Sequence, residues 1–207
     1  MKYYIYISDA KIEMLLPQVP HTVKKKIATE FGIDLKLLSA KRKSEVETEE
    51  SRISKLETVV TYIREYGNLG SVDEPDSYIE DTLPMKSGTL GGNLKDGAPL
   101  VYFGGETNKT VMGLFGSAKH MVGASGVPPA PAGSTTNFIL AYLQGTIQTE
   151  QTEVFEAIHQ LLTSMKSPPE QLEFLAKRLL YEPHFSRRGG KKGPVILATP
   201  LYVAKAD

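Results

Sequence analysis

The feature that most constrains this chain is its last apolar run, residues 195–204, VILATPLYVA, ten residues without a charge. An open strand edge is normally blunted by charge, so a run this apolar belongs inside a sheet. Pro200 cannot donate a backbone hydrogen bond, and it either interrupts the ladder or forces a bulge. Near the other end, Tyr3 to Ile7 is aromatic and β-branched and reads as a second strand. As the two most apolar strands, they are expected to lie centrally and next to each other.

Helical signals follow the first strand. Residues 11–19 are helix-prone, and Pro20 opens a second segment with Val23, Ile27 and Phe31 at four-residue spacing and Gly32 as its stop. The clearest helix is 45–66. Ser44 and Glu47 form a capping box, and Ile53, Leu56, Val60 and Ile63 recur at helical spacing, with Val59 and Tyr66 widening the stripe. Residues 78–90 suit one or two short edge strands, whereas 99–103 and 110–115 suit strands joined by a hairpin. Two more helices are expected at 150–166 and 168–181. In the second, Ser167, Pro168 and Glu170 supply the start signals and Leu172, Leu175 and Leu179 the buried stripe. The expected architecture is a single α+β domain spanning 1–207. Its mainly antiparallel sheet of about five to seven strands is packed on one face by three to five helices.

Composition removes several function classes. Twenty-four basic residues balance twenty-four acidic ones, which argues against a long-range field for nucleic acid or an anionic membrane. The absence of cysteine excludes disulfides, thiolate nucleophiles, zinc fingers and iron–sulfur ligation, and suits a reducing cytoplasm. No run of about eighteen apolar residues exists, and the first residues lack the pattern of a signal peptide. A cytoplasmic protein with no membrane partner is the expectation.

Candidate chemistry centres on residues 103–127, FGGETNKTVMGLFGSAKHMVGASGV, which hold six glycines. Successive amides in glycine turns form anion-binding nests, and Ser117, Lys119 and His120 add hydroxyl, ammonium and imidazole donors. The segment is not a P-loop, because the spacer and the Gly-Lys-Ser/Thr ending are missing. The competing reading is a β-meander whose glycines mark turns and bulges. His120 is a candidate acid–base, with Glu106, or else Asp9, as its partner. No HxH, HxxxH or HExxH spacing points to a metal, and no GxSxG elbow points to a serine nucleophile.

Two further clusters stand out. Arg187, Arg188, Lys191 and Lys192 surround two glycines and suit either a phosphate clamp or a solvated turn. Asp9, Lys11 and Glu13 follow the first strand, where α/β sites often lie, although Ser8 or Asp9 as a simple helix cap is the stronger reading there.

Three blocks, YYIYISDAKIEMLLPQVP, YFGGETNKTVMGLFGSAKHMVG, and FLAKRLLY with VILATPLYVA, together resemble an uncharacterised family of bacterial hypothetical proteins of about this length. The resemblance covers nearly the whole chain. It implies a bacterial single-domain protein and transfers no catalytic residue.

Three functional expectations result. The first is a binding or sensor domain for a small anionic molecule, nucleotides included, held by Gly104, Gly105, Gly116, Ser117, Lys119 and His120 with Arg187 and Arg188 closing over it. The second is a hydrolase- or transferase-type enzyme using His120 and Glu106. The third is a homo-oligomeric interaction module. No cofactor is indicated.

Overall fold

The computed structural model describes residues 2–31, 48–90, 99–123, 151–186 and 192–206. Contacts divide the chain into two compact units: Ser8–Leu69, and Met1–Ile7 with Gly70–Asp207. The molecule is α+β.

The larger unit is built on strands β1 (Tyr3–Ile7), β3 (Tyr78–Leu90), β4 (Leu100–Glu106), β5 (Val111–Ser117), β6 (Glu170–Ser186) and β7 (Lys192–Lys205), and on helix α4 (Gln151–Ser164). A two-residue strand, β2 (Leu69–Gly70), lies beside β3. Five strands close into a ring. β3 pairs with β4, β4 with β5, β5 with β7, β7 with β6, and β6 with β3. The pairing of β5 with β7 is parallel and the other four are antiparallel. Closure is possible because β3 is shared, its residues 78–85 facing β6 and its residues 85–90 facing β4. Numbered within the ring, the order is 1-2-3-5-4, with α4 between the third and fourth strands: the Greek-key connectivity of OB-type barrels.

The expectation of a mainly antiparallel sheet packed on one face by helices is met only in part, since the seven-stranded sheet is mixed and closes on itself. The sheet curls into a barrel whose inner face is itself a core. Ile79, Leu83, Met85, Val101, Phe103, Met112, Leu114, Leu172, Phe174, Ala176, Ile196 and Ala198 alternate along their strands and form one buried cluster. A second cluster joins the outer face to α4, with Phe155, Ile158 and Leu162 against Leu100, Tyr102, Val111, Phe115, Val195 and Leu197.

The terminal run lies at the centre of the sheet. β7 is flanked by β6, by β5 along 195–198 and by β1 along 202–205. Ala176 faces Pro200 and Leu175 faces Tyr202, so Leu201 is passed over in a bulge next to the proline. β1 adjoins β7 as anticipated but stands at the end of the strand order.

Two segments differ from expectation. Residues 170–186 form a strand, not a helix. The leucine spacing fits a helical stripe, but Leu172, Phe174 and Ala176 also alternate with Glu173 and Leu175, and the ladders on both sides decide in favour of the strand. Ser167 caps nothing: its Oγ donates to the carbonyl of Ser87 at 3.0 Å, and Glu170 pairs with Lys205 at 2.9 Å. Residues 78–90, expected at an edge, form one strand with partners on both sides.

The smaller unit contains α1 (Asp9–Leu15), α2 (His21–Phe31) and α3 (Glu49–Tyr66), with α1 and α2 both packed on α3. Helix α3 buries Leu56, Val59, Val60 and Ile63 as its periodicity requires, while Tyr66 is 57% exposed and outside the stripe. Its start is capped by Thr48, whose side-chain oxygen accepts from the amide of Ser51 at 3.3 Å. Ser44 and Glu47 lie outside the described residues, as do Gly32 and residues 137–147. Among the described residues, no helix is long and apolar enough to cross a membrane.

Candidate functional site

The glycine-rich stretch is barrel wall. Gly104 and Gly113 face each other across β4 and β5, and the ring of Tyr102 lies over both. A Cβ on Gly104 would come 2.3 Å from the Tyr102 hydroxyl oxygen, and one on Gly113 would come 3.1 Å from its ring. The hydroxyl donates to the Ile158 carbonyl of α4 at 3.2 Å, and burial raises its pKa well above the ordinary tyrosine range. On the inner face Gly116 makes the same room for Tyr6, whose hydroxyl oxygen would stand 2.3 Å from an added Cβ. Gly105 is closed in by the carbonyl of Pro84 and the side chain of Met85. Of the described glycines only Gly123 has a positive φ, 82°. In Gly104, Gly105 and Gly116 the missing side chain is therefore used to admit a neighbour, and none adopts the left-handed backbone of a nest turn.

The donors after β5 lie on a short 3-10 turn, Ala118–His120. Lys119 is exposed and His120 is buried, its ring edge-on to Tyr6 at 5.9 Å. Ser117 Oγ is shielded from water and has no hydrogen-bond partner among the described residues.

The ladder separates residues that the sequence left free to converge. Leu100 pairs with Ser117 at one end of the β4–β5 hairpin and Glu106 with Val111 at the other. Val111 and Ser117 are six residue steps apart along the strand, about 20 Å. The hairpin therefore does not bring Glu106 to His120. Arg187, Arg188 and Lys191 lie outside the described residues, but the flanking residues Ser186 and Lys192 pair with each other. Val195 lies beside Val111, so that end of β7 shares the Glu106 pole, opposite Ser117.

The third cluster has gained content. Ser8 stands at the N-cap of α1 but makes no side-chain cap hydrogen bond. Instead its Oγ accepts from Lys11 Nζ at 3.1 Å. Ser8 is 1% exposed and Lys11 only partly exposed. Burial disfavours the ammonium and lowers the Lys11 pKa to about 8. Asp9, on the next position, is held from α3 by Arg52, with Nε to Oδ1 at 2.7 Å and a second guanidinium nitrogen to Oδ2 at 3.1 Å. Beside this fork Ile12, Glu13 and Lys55 complete a shallow cleft.

A serine before a helix reads first as a cap, which hides the Ser8 and Lys11 pairing in the sequence. The usable signal was the Ser-x-x-Lys spacing, which puts the two side chains on one face of the first turn. Among the described residues, no group of three His, Asp or Glu side chains is arranged to hold a metal.

The family model "Family of unknown function (DUF7019)" matches residues 2–207, and the chain belongs to that family. Comparison with curated proteins and with solved structures gives no match.

Proposed function

We propose that this member of the DUF7019 family binds a small anionic molecule, a nucleotide or another phosphate-bearing metabolite, at the barrel pole formed by Ser117, Lys119 and His120. The observation that supports this reading is Ser117 Oγ, dry and without a hydrogen-bond partner among the described residues. A buried hydroxyl left unpaired costs about 1–3 kcal/mol, and a ligand that accepts its proton relieves that cost. An anionic oxygen is the fitting partner. It would accept the Ser117 proton, while the exposed ammonium of Lys119, two residues on, offsets its charge. The glycines contribute by letting Tyr6 and Tyr102 pack close to the strands that present this turn.

Arg187 and Arg188 lie outside the described residues, and the proposed site is drawn without them. For the acid–base reading of His120, the hairpin keeps Glu106 at its far end. Strand addition would have to use β1 at the end of the strand order, since the five-strand ring itself is closed.

Isothermal titration with inorganic phosphate and a panel of nucleotides and sugar phosphates tests the proposal. The unmodified chain should bind at least one of them, and Ser117→Ala and Lys119→Gln should each weaken that binding by about tenfold, the loss of one charge-assisted contact. No heat with any member of the panel would sink it.

A further inference from the structure

The geometry points to a second site, independent of Ser117, in which Lys11 is a nucleophilic amine for small carbonyl compounds, aldehydes or 2-oxo acids, and Ser8 is its positioning residue. Three observations combine. The Lys11 amine is tied to Ser8 Oγ at 3.1 Å. The Ser8 side chain makes no cap hydrogen bond that would otherwise account for a buried hydroxyl at that position. The pair sits on the first turn of α1, whose Asp9 is held by Arg52 of α3.

Burial supplies the reactivity. A lysine in water is almost wholly protonated at neutral pH and cannot attack, whereas desolvation favours the neutral amine, as in Schiff-base lysines. Lys11 has a pKa lowered to about 8 by burial. The carboxylates nearest in sequence are Asp9 and Glu13, two residues away on either side; Asp9 is engaged by Arg52, and both carboxylates line the cleft with Arg52 and Lys55 of α3.

The attacking atom is the amine and not the hydroxyl, because Ser8 is 1% exposed while Lys11 is partly open. One Nζ–H directed at Ser8 Oγ fixes the rotation of the amine and leaves the lone pair on the other side. That lone pair adds to the carbonyl carbon, and the carbonyl electron pair moves to oxygen, giving a carbinolamine. The oxygen then leaves as water with the two protons that nitrogen carried, and the carbon–nitrogen double bond of an imine remains. The limited opening at Lys11 restricts the partner to small carbonyls.

The test is trapping. The chain is incubated with glyoxylate and cyanoborohydride at pH 7, and the modified lysines are mapped by peptide mass spectrometry. Lys11 should be modified about tenfold or more faster than an exposed lysine such as Lys25, following its larger neutral fraction. Its rate should rise with a midpoint near pH 8. Ser8→Ala should lose most of this preference and Ser8→Thr should keep it, with circular dichroism checking that both fold. Equal labelling of Lys11 and Lys25, or a midpoint near that of an ordinary lysine, would overturn the proposal even if Ser8→Ala does not fold. A folded Ser8→Ala chain with full Lys11 preference would remove the role of Ser8. Ser117→Ala should leave the labelling unchanged, so failure at either site is read separately from the other.

Discussion

The wall segment around Tyr102 and the first turn of α1 treat buried polar atoms in opposite ways. In the wall, the Tyr102 hydroxyl is carried inward on a large apolar ring and donates to the Ile158 carbonyl of α4. The glycines beneath it exist to let the ring lie flat. In the turn, an ammonium is drawn out of water beside a neutral hydroxyl. The first arrangement satisfies a polar atom and buries a ring; the second leaves a charge poorly solvated. Packing alone explains the first, whereas the second costs stability and thereby marks a place where chemistry is the better explanation.

That contrast can be broken experimentally. The largest effect is expected at the ring. Tyr102→Ala leaves a void over Gly104 and Gly113 and removes the contact to α4, and should lower unfolding free energy by about 3–5 kcal/mol in urea titrations. A loss below about 1 kcal/mol would show that the slot is not tightly filled.

Lys11→Met should act in the opposite direction. The folded pKa near 8 lies below the ordinary 10.5, so the unfolded chain holds more protons between those values, and stability rises with pH across that window. Below about pH 8 the folded chain bears the full cost of the buried ammonium. Replacing it with methionine should therefore stabilise the protein at pH 7 by up to about 3 kcal/mol and abolish this part of the rise between pH 8 and 10.5. Urea midpoints for the two chains at pH 7 and pH 10 measure both. A methionine variant less stable than its parent at pH 7 would mean that the amine is well solvated.

The smallest effect is expected at Gly116→Ala, where the new methyl must displace the Tyr6 ring, a loss of about 1–3 kcal/mol. Combining it with Tyr6→Phe, which removes the nearest atom, should recover part of that loss. Strict additivity of the two would show that the ring and the glycine do not meet.

Much of the fold was legible because it depends on local pattern. The apolar terminal strand, its neighbour β1, the hairpin of β4 and β5, and helices α2, α3 and α4 all follow from periodicity and charge. Residues 170–186 were not legible, since QLEFLAKRLLY satisfies both a helical stripe and an alternating strand, and only the ladders with β3 and β7 choose between them. The candidate site was legible only in part. Ser117, Lys119 and His120 share a turn as their adjacency demands, yet their distance from Glu106 is a matter of register.

By itself, then, the sequence determined the α+β class, most of the elements and the chemical types that any site must use: no thiol, a few histidines and a balanced set of charges. Only the tertiary structure decided that the sheet closes, that tyrosines occupy the glycine slots, and that Ser8 holds Lys11 instead of capping α1. The physical reason is range. Periodicity and capping are set within a turn or a strand, whereas closure, close packing and desolvation depend on which distant residues arrive, and those contacts exist only in the folded chain.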